Sequence, residues 1–132
     1  GRPAPDFAFI ASITLRNSRG IDIIASNTDG SSSVSIQVKT NSDGRSKWIL
    51  NKKSEKFYSE NHYYVFVALR GIGERPDFHV VPSKAVAEFI SVSHSEWLKG
   101  KKRDGSARKD SSIRNFRDDE GKYLEAWELI NI

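Results

Sequence analysis

The stretch GIDIIASNTDGSSSVSIQVKT, residues 20–40, decides how this chain is read. Two alternating arms, 21–25 and 34–38, flank a polar segment around Asp29-Gly30, a residue pair favoured in tight hairpin turns. Alternate residues of a strand share a face, so Ile21, Ile23 and Ala25 fall on one side of the first arm. Val34, Ile36 and Val38 fall on one side of the second. A two-residue turn centred on Asp29-Gly30 sets Ile21 opposite Val38, Ile23 opposite Ile36 and Ala25 opposite Val34, an entirely apolar face. The other face then sets Asp22 opposite Gln37, with Lys39 next along the second arm. Cross-strand and diagonal neighbours of this kind hold their Cβ atoms about 5–8 Å apart. A slip of two residues keeps them adjacent, whereas a slip of one turns the polar set into the core.

A carboxylate, an amide carbonyl and an ammonium gathered in this way can hold a divalent cation. Hard cations take oxygen ligands, which Asp22, the Gln37 side chain and the Val38 backbone carbonyl offer. Lys39 would orient or help deprotonate a water and offset charge on a phosphate. The same three residues also suit a solvated outer face, where an Asp22–Lys39 ion pair contributes under about 1 kcal/mol.

Around this hairpin the chain is sized for one core. Its 132 residues suit a single domain spanning 1–132, and 37% apolar with 29% charged residues is a globular composition. No apolar run approaches the roughly 18 residues of a membrane helix and no signal-peptide pattern opens the chain, so the cytoplasm is the expected location. With no cysteine there is no disulfide framework and no thiolate metal site. Methionine is absent and the chain opens GRPAPDF, which reads as a processing boundary or the start of a fragment. The formal charge of +4 hints at a polyanionic partner.

The segment FAFIASITLR (7–16), rich in β-branched and aromatic residues, reads as a strand preceding the hairpin. Residues 48–50 read as a short strand followed by a helix from about Lys52. HYYVFVALR (62–70) is a near-continuous apolar run, expected to be a strand buried on both faces, and DFHVVPS (77–83) alternates as the next strand. Ser83 is placed to N-cap a helix through Val86, Phe89, Ile90 and Trp97. Residues 99–117 are polar and aperiodic and read as a loop, and Tyr123, Leu124, Trp127 and Ile130 mark one face of a closing helix. The expected class is α/β, with a central mixed sheet of about five strands flanked by helices.

The pattern GID-II-A, a hairpin and then IQVKT resembles the PD-(D/E)XK nuclease superfamily. It is most similar to the branch with Gln at the acidic position, as in methylation-dependent restriction endonucleases and resolvase-like proteins. The resemblance covers most of residues 7–98 and implies a restriction-endonuclease-like core acting on DNA. By resemblance Asp22 is the metal-binding Asp, Gln37 the variant acidic position and Lys39 the catalytic Lys, with Mg²⁺ or Mn²⁺ as cofactor. Many members carry a Glu on a helix before the first strand. Residues 1–20 hold no Glu and no room for that helix, which is therefore expected upstream or lost.

The segment 99–117 also concentrates positive charge. Lys101, Lys102, Arg103, Arg108, Lys109, Arg114 and Arg117, with Lys52 and Lys53 beyond the motif strand, are candidates for phosphate contacts with salt-dependent affinity. Gly100 and Gly105 would let this loop close on a duplex. Trp97 and Trp127 fall on apolar helical faces and are expected in the core, leaving Trp48 as the candidate for base stacking. His62, His79 and His94 lack zinc-ligand spacing; His79 and His94 read as structural. Three functions fit: a metal-dependent DNA nuclease, a non-catalytic nucleic-acid-binding module of the same fold, and an interaction domain dimerising through the edge strand at 7–16.

Overall fold

The computed structural model describes residues 10–15 and 21–132, with side chains from Ile23 onward. In chain order the elements are β1 (Ile10–Leu15), β2 (Ile21–Ser26), β3 (Ser33–Asn41), β4 (Lys47–Asn51), β5 (His62–Ala68), β6 (Asp77–Pro82), α1 (Ser83–Lys99) and β7 (Ile113–Arg117). Short 3₁₀ turns cover Lys52–Glu55 and Trp127–Leu129. The architecture is α/β: a five-stranded mixed sheet ordered β1-β2-β3-β5-β6, and a separate two-stranded ribbon of β4 with β7. The ends of the expected first strand, 7–9 and 16, lie outside the described residues.

The β2–β3 hairpin has the register its alternation demands, with Ile21 opposite Val38, Asp22 opposite Gln37 and Ala25 opposite Val34. Its connection is wider than a two-residue turn. Asn27 and Ser32 close a loop in which Gly30 donates back to Asn27 at 3.1 Å and sits at φ +73°, a conformation glycine adopts without Cβ strain. The loop remains centred on Asp29-Gly30, so the register is unchanged.

β3 then pairs in parallel with β5, and β5 antiparallel with β6. All seven residues of β5 are buried because both faces of the sheet are covered there. On one face Val34, Ile36, Tyr63, Val65, Val67 and Val80 pack beneath Ala126 and Ile130 of the C-terminal segment. On the other, Tyr64, Phe66 and Val81 pack beneath Val86 and Ile90 of α1 and Trp48, Leu50 and Phe116 of the ribbon.

Several local expectations give way to tertiary packing. No α-helix follows Lys52: the 3₁₀ turn there has no buried residue, and Phe57 and Tyr58 stay exposed, so no apolar face repays helix nucleation. The closing helix is absent as well. Val80 donates to Tyr123 O at 2.9 Å and Glu125 donates to Phe78 O at 2.8 Å, so residues 123–125 pair with the outer edge of β6 instead of building a helical ladder. Residues 113–117, read as part of a loop, form β7 because β4 offers them a complementary ladder. Ser83 is the first residue of α1 and does not cap it; its hydroxyl donates to Ser59 O (3.0 Å) and accepts from Ser59 N (3.1 Å), tying the loop before β5 to the helix start. Trp97 is 44% exposed, because the buried stripe of α1 ends at Ile90 and its last two turns overhang the sheet. Trp127 does reach the core, packing on Phe78 at 5.8 Å between centroids, from the 3₁₀ turn.

Candidate functional site

Gln37 and Lys39 lie on the β3 face that carries Tyr64 and Phe66 on neighbouring β5, since Gln37 pairs with Tyr64 and Lys39 with Phe66 in the parallel register. Asp22 stands directly across β2 from Gln37. The backbone register therefore sets position 22 beside Gln37, and Lys39 follows two residues further along β3. Gln37 is partly exposed, and among the described residues no hydrogen bond engages its side-chain amide. Val38 is laddered to Ile21 on one side and Val65 on the other, which keeps its carbonyl in the plane of the sheet.

Lys39 opens into a cavity of about 650 Å³ walled by Asn41, Asp43, Arg45, Lys47, Ile49 and Ile113 among others. The wall is held by Asn41, whose side-chain amide donates to Arg45 O at 2.6 Å and Lys47 O at 2.8 Å and so fixes the turn between β3 and β4. Asp43 accepts from the Arg45 backbone N–H at 2.9 Å, which aims the turn the same way. Arg45 carries no sequence signal; only the fold of the turn brings it to the wall of the cavity that Lys39 also lines.

Parallel pairing also gathers two side chains that no spacing in the sequence connects. Ser35, two residues before Gln37 on the same face, has its hydroxyl 2.7 Å from His62 Nδ1 at the start of β5. Tyr64, across from Gln37, is buried, and that burial raises its hydroxyl above the ordinary value, offset by a hydrogen bond with Ser54. The phenol is neutral at physiological pH and acts as a donor or a packing group on this face.

The basic residues divide by what they touch. Lys52, Lys53, Lys101, Lys102, Arg103 and Lys109 are exposed. Arg117 is exposed on β7, directly opposite Lys47 of β4. Arg108 is pinned: it donates to Trp97 O at 2.6 Å and lies over the Trp97 ring at 5.0 Å, satisfying the helix C-terminus. A Cβ on Gly100 would come within 2.7 Å of that guanidinium, the far end of a flexible side chain. Residues 102–106 are a closed turn, with Lys102 donating to Ser106 O and Gly105 to Lys102 O, each at 2.9 Å.

Two of the expected nucleic-acid contacts are buried in the fold. Arg114 is buried, 2.7 Å from Glu55 through its Nε and bonded to Ser111 O and Ile113 O, and has no face to offer a phosphate. Trp48 is 2% exposed, donates its indole N–H to Val67 O at 3.0 Å and packs on Phe66 and His79, so it cannot stack on a base. Both residues belong to alternating strands whose inward face is the ribbon's contact with the sheet, a partnership invisible before the fold. His79 Nδ1 lies 2.7 Å from buried Asp118, and His94 Nε2 lies 2.7 Å from Asp110.

Among the described residues no cluster of three or more acidic, histidine or cysteine side chains is formed, and no helix is long and apolar enough to cross a membrane. Comparison with models of protein families, with curated proteins and with solved structures gave no match.

Proposed function

We propose that this protein is a metal-dependent, nuclease-like protein acting on DNA phosphodiester bonds, built on a restriction-endonuclease-like variant of the α/β core. The observation that supports it is the cross-strand pairing of Asp22 with Gln37, and the placement of Lys39 on the same sheet face at the mouth of a cavity lined by Arg45 and Lys47. Lys39, two residues along β3 from Gln37, lines this recess together with the cationic side chains Arg45 and Lys47.

The donor set suits a hard cation in kind. Asp22 and Gln37 supply oxygen, the Gln37 amide is unengaged among the described residues, and Mg²⁺ commonly takes one or two protein ligands with water and phosphate completing its shell. Such an ion would lower the pKa of a bound water and polarise the phosphate. The chain's own contribution is then positional. Gln37 and Asp22 orient the reacting phosphate from the sheet face, Lys39 offsets charge that builds on its oxygens, and Arg45 and Lys47 hold the flanking backbone.

A second reading, a nucleic-acid-binding module of this fold without catalysis, is favoured by one feature: Gln37 is neutral where a carboxylate would hold a divalent ion more firmly. Nicking of supercoiled plasmid in Mg²⁺ or Mn²⁺, against chelator and against Lys39→Ala, separates the two. The nuclease reading expects nicking that is lost in both controls while Lys39→Ala stays folded. Retained DNA binding with no nicking under any metal assigns the protein to the second reading.

A further inference from the structure

The outer face of the β4–β7 ribbon is unusual in its pairing. Lys47 stands directly opposite Arg117, Ile49 opposite Asn115, and Asn51 opposite Ile113. Like charges set directly across a strand pair repel. Among the described residues no carboxylate lies within ion-pair distance of either Lys47 or Arg117. Beside them Ile49 and Ile113 are 66% and 54% exposed, so the face alternates unpaired cations with uncovered apolar side chains.

Two cavities meet over this face. The one at Lys39, about 650 Å³, and a second of about 530 Å³ beneath the overhanging end of α1 are both lined by Lys47 and Ile113. The second continues past Arg117 and Asn115 to Ser93 and Trp97. The ribbon is thus the floor of one trough leading from the end of α1 to Lys39. Asp43 is the one carboxylate among the residues lining the two cavities, and it is held by the Arg45 backbone N–H.

We infer that this trough binds an unpaired segment of nucleic acid and delivers it to the patch at Asp22, Gln37 and Lys39; the inference rests on the function proposed above and specifies its substrate. The charge supplies the polyanion, with phosphates following Arg45, Lys47 and Arg117. The isoleucines supply the distinction between single strand and duplex. A duplex presents phosphate and sugar outward and hides its base faces, so Ile49 and Ile113 gain little from it. An unpaired strand exposes base faces that bury against apolar side chains and tolerate any sequence.

The test is binding of a labelled oligothymidine of about 15 nucleotides in chelator, compared with the same strand annealed to its complement. Single-strand affinity is expected to exceed duplex affinity about tenfold or more. Ile49→Ser with Ile113→Ser should erase most of that preference while leaving duplex binding unchanged, and both sites are exposed, so the fold is unaffected. Lys47→Ala with Arg117→Ala should weaken both and make the slope of log affinity against log salt for the single strand shallower by about 1.4, since each of the two lost phosphate contacts accounts for about 0.7 counterion. Equal affinity for duplex and single strand, or indifference to the isoleucine pair, would overturn the inference. So would a concentration-dependent dimer of the protein alone that the isoleucine substitutions dissociate, which would assign the face to a second copy. Plasmid nicking reports separately: its absence with ribbon-dependent strand binding intact removes the catalysis and leaves the trough, and nicking by a protein indifferent to the ribbon variants does the reverse.

Discussion

The Glu55 carboxylate lies 2.7 Å from Arg114 Nε, joining the turn after β4 to β7 across the edge of the ribbon. The Arg114 side chain is 6% exposed and its partner 21%, so this pair is held largely out of water. Arg114→Ala strands the carboxylate and releases the Ser111 and Ile113 carbonyls, at an expected cost of about 3 kcal/mol in denaturant unfolding. Glu55→Gln keeps a neutral acceptor and should cost about 1–2 kcal/mol. A phosphate-binding role would instead leave stability unchanged and lower DNA affinity.

Trp48 fills the space between ribbon and sheet. Trp48→Ala should cost about 3–5 kcal/mol, whereas Trp48→Phe keeps most of the volume and loses chiefly the bond to Val67 O, about 1–2 kcal/mol. In the folded Phe variant, affinity for single-stranded DNA should equal that of the parent protein. A clear drop would restore the indole to the binding surface.

His79 and Asp118 secure the C-terminal segment. Asp118 also accepts from Lys122 N and Tyr123 N, each at 2.9 Å, so its two oxygens organise the turn that leads onto the β6 edge. Asp118→Ala should cost about 2–3 kcal/mol. Amide exchange should accelerate first at Lys122, Tyr123 and Glu125, ahead of β5. Uniform acceleration across the sheet would show that the segment does not open as a separate unit.

Tyr64 makes stability sensitive to alkaline pH. Burial raises its ionisation above the ordinary value of 10.0, so between the unfolded and folded values the native state binds the extra proton. The stabilisation is complete below about pH 10 and falls as pH rises towards the folded value. Denaturant midpoints of the parent and Tyr64→Phe should keep a constant difference up to that pH, above which only the parent declines. A parallel decline in both proteins would place the alkaline sensitivity elsewhere.

Gly30 tests the hairpin directly. Its φ of +73° suits glycine, and no atom lies within 4 Å of where a Cβ would stand. Gly30→Ala is therefore a conformational penalty alone, about 1 kcal/mol, without steric conflict. A loss several times larger in thermal unfolding would mean that the loop backbone makes contacts beyond those within 27–32.

What the chain's own order of residues determined is local. Alternation in residues 21–25 and 34–38 about Asp29-Gly30 specifies the hairpin register, because a one-residue slip would exchange core and solvent faces, and so it also sets Asp22 against Gln37. The apolar run at 62–70 announces a strand covered on both faces, formed over 62–68, and the spacing of Val86, Phe89, Ile90 and Trp97 announces α1, although only Val86 and Ile90 of these four are buried. Tertiary structure alone decided what depends on distant partners. Residues 113–117 become a strand because β4 pairs with them, which buries Trp48 and Arg114 and turns Lys47, Arg117, Ile49 and Ile113 outward. Residues 123–130 show helical spacing, yet their backbone groups are claimed by the edge of β6, and His62 meets Ser35 only through parallel pairing. Periodicity records which side of an element is buried; it carries no information about which remote segment does the burying.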